Sequence, residues 1–283
     1  MMRANLGCGN QICPGWINID IVRTGPGVVT HDLSTGVPLS DASCEVVYHS
    51  HVLEHLKRPD AQFFMRECFR VLKPDGILRV AVPDLEQVCR QYLLTLDRAL
   101  AKDAHAAYDY EWIMLELFDQ MVRPQSGGGM HAYLQQNPLP NEAFVCERIG
   151  EVGRQLVSSL RASVGRVGRS SENLSLGIAP CLRRTGWRMG VQLVQKLVFW
   201  TSGRRFVEAY RLGRFRMGGE VHQWMYDRYS LAQLMISVGL KDPRRESAFT
   251  SRIPGWTDVP LDVSSDRMVR KPDSLFMEAL KPK

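Results

Sequence analysis

Asn5-Leu6-Gly7-Cys8-Gly9-Asn10, NLGCGN, sits directly after a short run, Arg3 to Leu6, that reads as a first β-strand. Glycines at a strand end permit a tight turn and let a ligand lie against bare backbone. A lone G-x-G is a weak signal, and two acids further along the chain give it weight. Trp16-Ile17-Asn18-Ile19-Asp20 alternates apolar and polar residues and ends in an acid, and Val28-Val29 leads into His31-Asp32-Leu33. A carboxylate at the end of a second strand accepts ribose hydroxyls, and an adenine fits at the end of a third. The gap from Gly9 to Asp20 is shorter than the roughly 20 residues of a dinucleotide-binding unit, which disfavours a pyrophosphate-bearing cofactor such as NAD.

Further strand and helix signals alternate along the first hundred residues. Val46-Val47-Tyr48 reads as a strand, and Ala61 to Leu72 places Phe63, Phe64, Cys68, Val71 and Leu72 on one helical face. Lys73-Pro74-Asp75-Gly76 stops that helix, and Ile77 to Val82 is a buried strand. Such alternation predicts an α/β fold with a largely parallel sheet. From about Ala99 to Met217 the strand signals fade, and loops at Ser126–Gly129 and Asn137–Pro140 break helical pieces, as in a helical insertion. A helix over Ser230–Val238, N-capped by Ser230 or a neighbouring polar residue, and a last strand over Ser274–Leu280 return the chain to sheet architecture.

His51-Val52-Leu53-Glu54-His55, HVLEH, matches the H-x-x-E-H signature of one class of zinc peptidases. That reading needs a third ligand further along and leaves the glycine loop, Asp20 and Asp32 unexplained, so no metal is expected. Seven scattered cysteines (Cys8, Cys13, Cys44, Cys68, Cys89, Cys146, Cys181), with no C-x-x-C pair, argue against a disulfide framework and a cysteine zinc site. The absence of a leader and of a long apolar span sets a cytoplasmic expectation. The formal net charge is +6, yet residues 150–216 hold thirteen Lys/Arg against three acids and so carry +10, leaving −4 elsewhere. That segment suits phosphate, nucleic acid or an anionic lipid surface, or is a solvated helical face. Val191 to Trp200, flanked by Arg184, Arg188, Arg204 and Arg205, reads either as a basic amphipathic helix lying peripherally on the inner membrane face or as core of the insertion.

Taken with PGWINID (14–20), HDL (31–33), EVVYHSHVLEHL (45–56), ECFRVLKPDGILRVAVPDLE (67–86), GEVHQWMYDRYSL (219–231) and RKPDSLFMEALK (270–281), the chain resembles the class I S-adenosylmethionine-dependent methyltransferases, of the type in which the glycine loop opens the chain. The resemblance implies a Rossmann-like seven-stranded sheet with a final antiparallel strand. The core would comprise 1–104 and 217–283, with a helical, basic insertion, 105–216, after the fifth strand on the substrate side. The implied cofactor is S-adenosylmethionine, bound by Asn5, Leu6, Gly7, Cys8, Gly9, Asp20, Ile21, Asp32, Leu33, His49 and Ser50. Within that set Gly7 and Gly9 back the methionine part, Asp20 takes the ribose, Asp32 and Leu33 the adenine, and His49 or Ser50 the sulfonium region. Glu45 stands where the family often has Asp, away from any expected contact.

Histidine titrates near neutrality, so His51 is the first candidate for a base that deprotonates an acceptor hydroxyl, with Glu54 orienting it. His222 and Tyr226, after the Gly218-Gly219 hinge, are candidates to reach the acceptor from the insertion side. Relatives of this sequence type are associated with glycan, glycolipid and secondary-metabolite pathways, so the expected acceptor is a sugar hydroxyl, phosphorylated or lipid-linked forms included. Other readings are a nucleic-acid methyltransferase, which lacks a recognised binding module here, and a non-catalytic scaffold that retains the fold.

Overall fold

The computed structural model describes residues 2–164 and 204–283. Seven strands form one sheet: β1 (Arg3–Leu6), β2 (Ile17–Asp20), β3 (Val28–Thr30), β4 (Cys44–Ser50), β5 (Leu72–Pro83), β6 (Lys241–Glu246) and β7 (Ser274–Leu280), in the order β3-β2-β1-β4-β5-β7-β6. The first five pair in parallel, and β7 inserts antiparallel between β5 and β6. The strand order reverses between β1 and β4, where ligands bind at the carboxyl ends of open α/β sheets.

One face of the sheet packs on α1 (Arg58–Val71) and α7 (Arg228–Ser237). Leu6, Ile19, Val47, Leu78 and Val80 meet Phe64, Met65, Cys68, Leu231 and Met235 there in the main apolar core. The other face, with Val46, Tyr48 and Ile77, is covered by Ile253, Trp256, Val259 and Leu261. Along β4 the side chains alternate faces, as a strand requires. Deep in this second face Arg79 is fully buried, 2.8 Å from Asp262 Oδ2 through Nε and 2.7 Å from Glu278 Oε1 through Nη1, while Tyr48 Oη donates to Asp262 Oδ1 at 2.6 Å.

Two expectations are refined at their edges, and one strand that the sequence does not mark joins the sheet. The Lys73-Pro74-Asp75-Gly76 turn is absorbed into β5 as an irregularity of the β4–β5 register, with Asp75 at φ 62°, so α1 ends at Val71. The cap of α7 is the neighbouring residue Asp227, whose carboxylate accepts from the Ser230 N–H in a reciprocal capping box. Lys241–Glu246, charged and proline-containing, forms the edge strand β6, a composition that blunts edge-to-edge pairing.

After β5 come α2 (Leu85–Leu100), α3 (Ala106–Val122), α4 (Gly128–Leu134), α5 (Glu142–Val164) and a helix over 204–216, α6. Val88 of α2 joins Trp112, Ile113, Tyr133, Leu134, Val145 and Val157 in a separate apolar cluster. The helical unit therefore draws one helix from before residue 105. No helix among the described residues is long and apolar enough to cross a membrane. Val191–Trp200 lies outside the described residues.

Candidate active site

The glycine loop hangs from the β1–β2 pairing. Gly7 and Cys8 N–H both donate to Ile19 O, at 2.8 and 3.1 Å. Gly7 and Gly9 have φ of 65° and 50°, in the left-handed region that favours glycine. A Cβ at Gly7 would come within 3.0 Å of Val52 Cγ2, whereas at Gly9 nothing lies within 4 Å of that position. Gly7 is thus closed on the protein side and Gly9 open. Asp20 braces the loop: its Oδ2 accepts from Gly9 N–H at 2.8 Å and its Oδ1 from Val22 N–H at 3.0 Å. Asn5 turns its amide inward, donating to Gln11 O and Asn18 Oδ1.

A cleft of about 570 Å³ opens beside this loop. Gly7, Cys8 and Gly9 line one side, Tyr48, Ser50 and His51 the β4 side, Gln120 and Arg123 the insertion side, and Lys271 and Ser274 the approach to β7. Of the two expected sulfonium neighbours, strand alternation delivers Ser50 to the cleft and sends His49 behind the sheet. His49 is fully buried with its ring 5.1 Å from Phe64, and burial lowers its pKa to about 4. Leu6 is core, Ile21 is exposed beyond the tip of β2, Leu33 packs at the edge of the main core, and Asp32 caps a short 3-10 turn by accepting from Ser34 N–H. None of these four lines the cleft, nor does Asp20.

His51 stands at the cleft wall with a left-handed backbone, φ 54°. Its Nε2 is 2.8 Å from Ser274 Oγ and its Nδ1 3.0 Å from Glu54 Oε1. Glu54 is completely buried in the 3-10 turn Leu53–His55. Burial alone would raise its pKa, yet His51, then His55 and His222, hold the carboxyl well below the usual range. The segment returning from the insertion crosses here: Gln223 N–H donates to Glu54 O at 2.7 Å, and His222 N–H to Gln120 O at 3.0 Å. The rings of His222 and His55 meet edge to face at 4.8 Å. Burial pushes His222 down to about 3 and lowers His55 as well.

Tyr226, expected to reach the acceptor, instead packs into the main core, because the chain pairs there with Asp84 and gives its carbonyl to Leu85 N–H. Sequence reasoning overlooked Lys271 and Ser274, although the basic pair Arg270-Lys271 just before the last strand was the available signal. Arg270 pairs with Glu151 at 3.0 Å, and Arg123 with Asp119 and Glu220. Lys271 has no carboxylate within ion-pair distance among the described residues, and burial lowers its pKa.

The glycine loop and the β4 wall of this crevice lie in a stretch, residues 7–80, that fits the model of the methyltransferase domain. Residues 7–80 are thus similar to a methyltransferase domain. The sheet order and the antiparallel β7 are those of the class I S-adenosylmethionine-dependent fold. A 56-residue stretch is 43% identical to a probable S-adenosylmethionine-dependent methyltransferase of Mycolicibacterium smegmatis, covering 20% of this chain and 21% of that one. A 48-residue stretch is 48% identical to a probable enzyme of the same description from Mycobacterium tuberculosis, covering 17% of each. The aligned part of the chain thus spans about a fifth of these relatives. A solved S-adenosylmethionine-dependent methyltransferase from Archaeoglobus fulgidus aligns over 99% of this chain and 86% of its own, at 12% identity and a TM-score of 0.38. The loop suits a ligand that lies against bare backbone, since Gly9 leaves open the space a side chain would fill.

Proposed function

We propose that the chain transfers a methyl group from S-adenosylmethionine to a sugar hydroxyl of a glycan, glycolipid or secondary metabolite. The observation that carries the reading is His51, held between Ser274 Oγ and the Glu54 carboxylate in a cleft whose other wall is the glycine loop. Bound cofactor would supply an electrophilic methyl on sulfur, and the protein's task is then alignment, exclusion of water and removal of one proton. Gly7, Cys8, Gly9 and Ser50 would hold the cofactor on the loop side, with Asp20 keeping the loop in place. The acceptor oxygen gains the methyl as the sulfur–carbon bond breaks, and its proton passes to His51 Nε2, relayed by the Ser274 hydroxyl. Glu54 stabilises the imidazolium so formed.

The sugar is supported by the resemblance of the sequence type. Lys271, which lines the cleft and has no carboxylate within ion-pair distance among the described residues, favours acceptors carrying phosphate, whether soluble or lipid-linked. Calorimetry with S-adenosylmethionine, followed by incubation with sugar phosphates and labelled cofactor, tests both layers. The expected result is binding heat and a product heavier by one CH2 on oxygen. Absence of cofactor heat overturns methyl transfer, and binding without turnover on any acceptor favours a scaffold.

A further inference from the structure

We propose that Glu54, His55 and His222 form a binding site for a divalent transition metal of the zinc class. Each offers one ligand atom, and these atoms lie within 4.8 Å of one another. Two imidazole nitrogens and one carboxylate oxygen are the donor set of a three-ligand zinc site with a position left open. Ligands around a tetrahedral zinc stand about 3.3 Å apart, given metal–ligand distances near 2 Å, so side-chain rotations closing the longest separation by about 1.5 Å complete the site.

The second observation is the set of bare polar atoms aimed at this point. Glu54 is fully buried; its Oε1 faces the His51 Nδ1 at 3.0 Å, and its Oε2 has no hydrogen-bond partner among the described residues. His55 Nδ1 is likewise buried without a partner. The His55 ring also meets the backbone of Val221, an arrangement that orients an imidazole and leaves its other nitrogen free to ligate. A buried carboxylate facing two imidazoles, with unsatisfied lone pairs, is an environment a cation resolves.

The place in the fold suggests what the ion does. Glu54 and His55 belong to the turn after β4, and His222 to the segment returning from the insertion, which already gives two backbone N–H groups to Glu54 O. A metal there clamps the insertion to the methyltransferase core. Because His55 and His222 line the cleft, the ion's free position opens into it, where water or an acceptor oxygen binds. His51 stays outside the ligand set. This proposal does not depend on methyl transfer.

The test uses untagged full-length protein, loaded with zinc, desalted and assayed for metal by mass spectrometry, with cobalt as a spectroscopic substitute. One zinc per chain and cobalt d–d absorption of a low-coordinate nitrogen/oxygen site are expected. Glu54→Gln and His222→Ala should each weaken binding at least about tenfold, while His105→Ala, at the exposed start of α3, leaves it unchanged. Unaltered far-UV circular dichroism in the variants shows that they fold, and Glu54→Gln, which keeps the side-chain shape, serves if His222→Ala does not. Less than about 0.1 zinc per chain in excess metal, or full retention by both variants, overturns the site.

Discussion

Replacing Gly7 by Ala adds one carbon beneath the cofactor loop and incurs two separable costs. At φ 65° an L side chain costs about 1–2 kcal/mol. The new Cβ also falls within 3.0 Å of Val52 Cγ2, an overpacking worth about 1–3 kcal/mol. Gly7→Ala should therefore lose about 2–5 kcal/mol of stability. Val52→Ala removes the atom that is struck and, being half-buried, costs about 1 kcal/mol by itself. In the double variant the collision is gone, leaving a loss of about 2–3 kcal/mol, so the two changes should couple by about 1–3 kcal/mol. Urea unfolding of the four proteins, compared at constant m-value, measures this directly. Gly9→Ala is the contrast. It keeps the backbone cost but meets no protein atom, so it should lower S-adenosylmethionine affinity at least about tenfold with the smaller stability loss. If Gly7→Ala costs less than about 0.5 kcal/mol, or the single losses simply add, the loop does not rest on Val52 and the cleft is misdrawn.

His51→Ala should cut turnover by about 10²–10⁴-fold in single-turnover assays while the S-adenosylmethionine Kd moves less than about twofold; unchanged turnover removes His51 from the chemistry. Arg79→Met should cost about 3–5 kcal/mol in urea unfolding, since it strands the buried Asp262 and Glu278 carboxylates without their shared cation. The Cys8 thiol is pushed up to about 11, first by burial and then by the Asp20 charge, so it stays protonated near neutrality. Its alkylation, followed by peptide mass mapping, should rise about tenfold per pH unit towards 11 and trail the exposed Cys89 throughout the neutral range.

The first five strands and β7 were legible because turn chemistry and acid-terminated apolar runs are local signals. Lys241–Glu246 was not, because an edge strand needs neither an apolar face nor alternation, and its charges are what keep it from pairing further. Naming His49 alongside Ser50 stopped short of the period-2 rule, which places Tyr48 and Ser50 on one side and His49 on the other. The boundary at residue 105 failed to show that Val88 packs with Trp112, since helix-on-helix burial is invisible to a change of composition. The H-x-x-E-H pattern gave no sign of His222, because that residue reaches Glu54 and His55 only through the tertiary fold, on a segment hydrogen-bonded to both Gln120 and Glu54.

The backbone at His51 ties these observations together. Its N–H donates to Ala81 O at 2.9 Å, extending the β4–β5 ladder one residue past Ser50, and at that point the chain turns left-handed at φ 54°. Such a conformation costs a side-chain-bearing residue about 1–2 kcal/mol, and it persists only where the surroundings over-determine it. Glycine would satisfy the turn at lower cost, so geometry alone gives no reason for histidine. The imidazole, fixed at both nitrogens by Ser274 and Glu54, is what the strained turn supports. The consequence is a dissociation of stability from turnover. His51→Gly should be about 1 kcal/mol more stable than His51→Ala while being equally inactive. Equal stabilities of the two variants would mean the turn is not left-handed, and the placement of His51 in the cleft would fall with it.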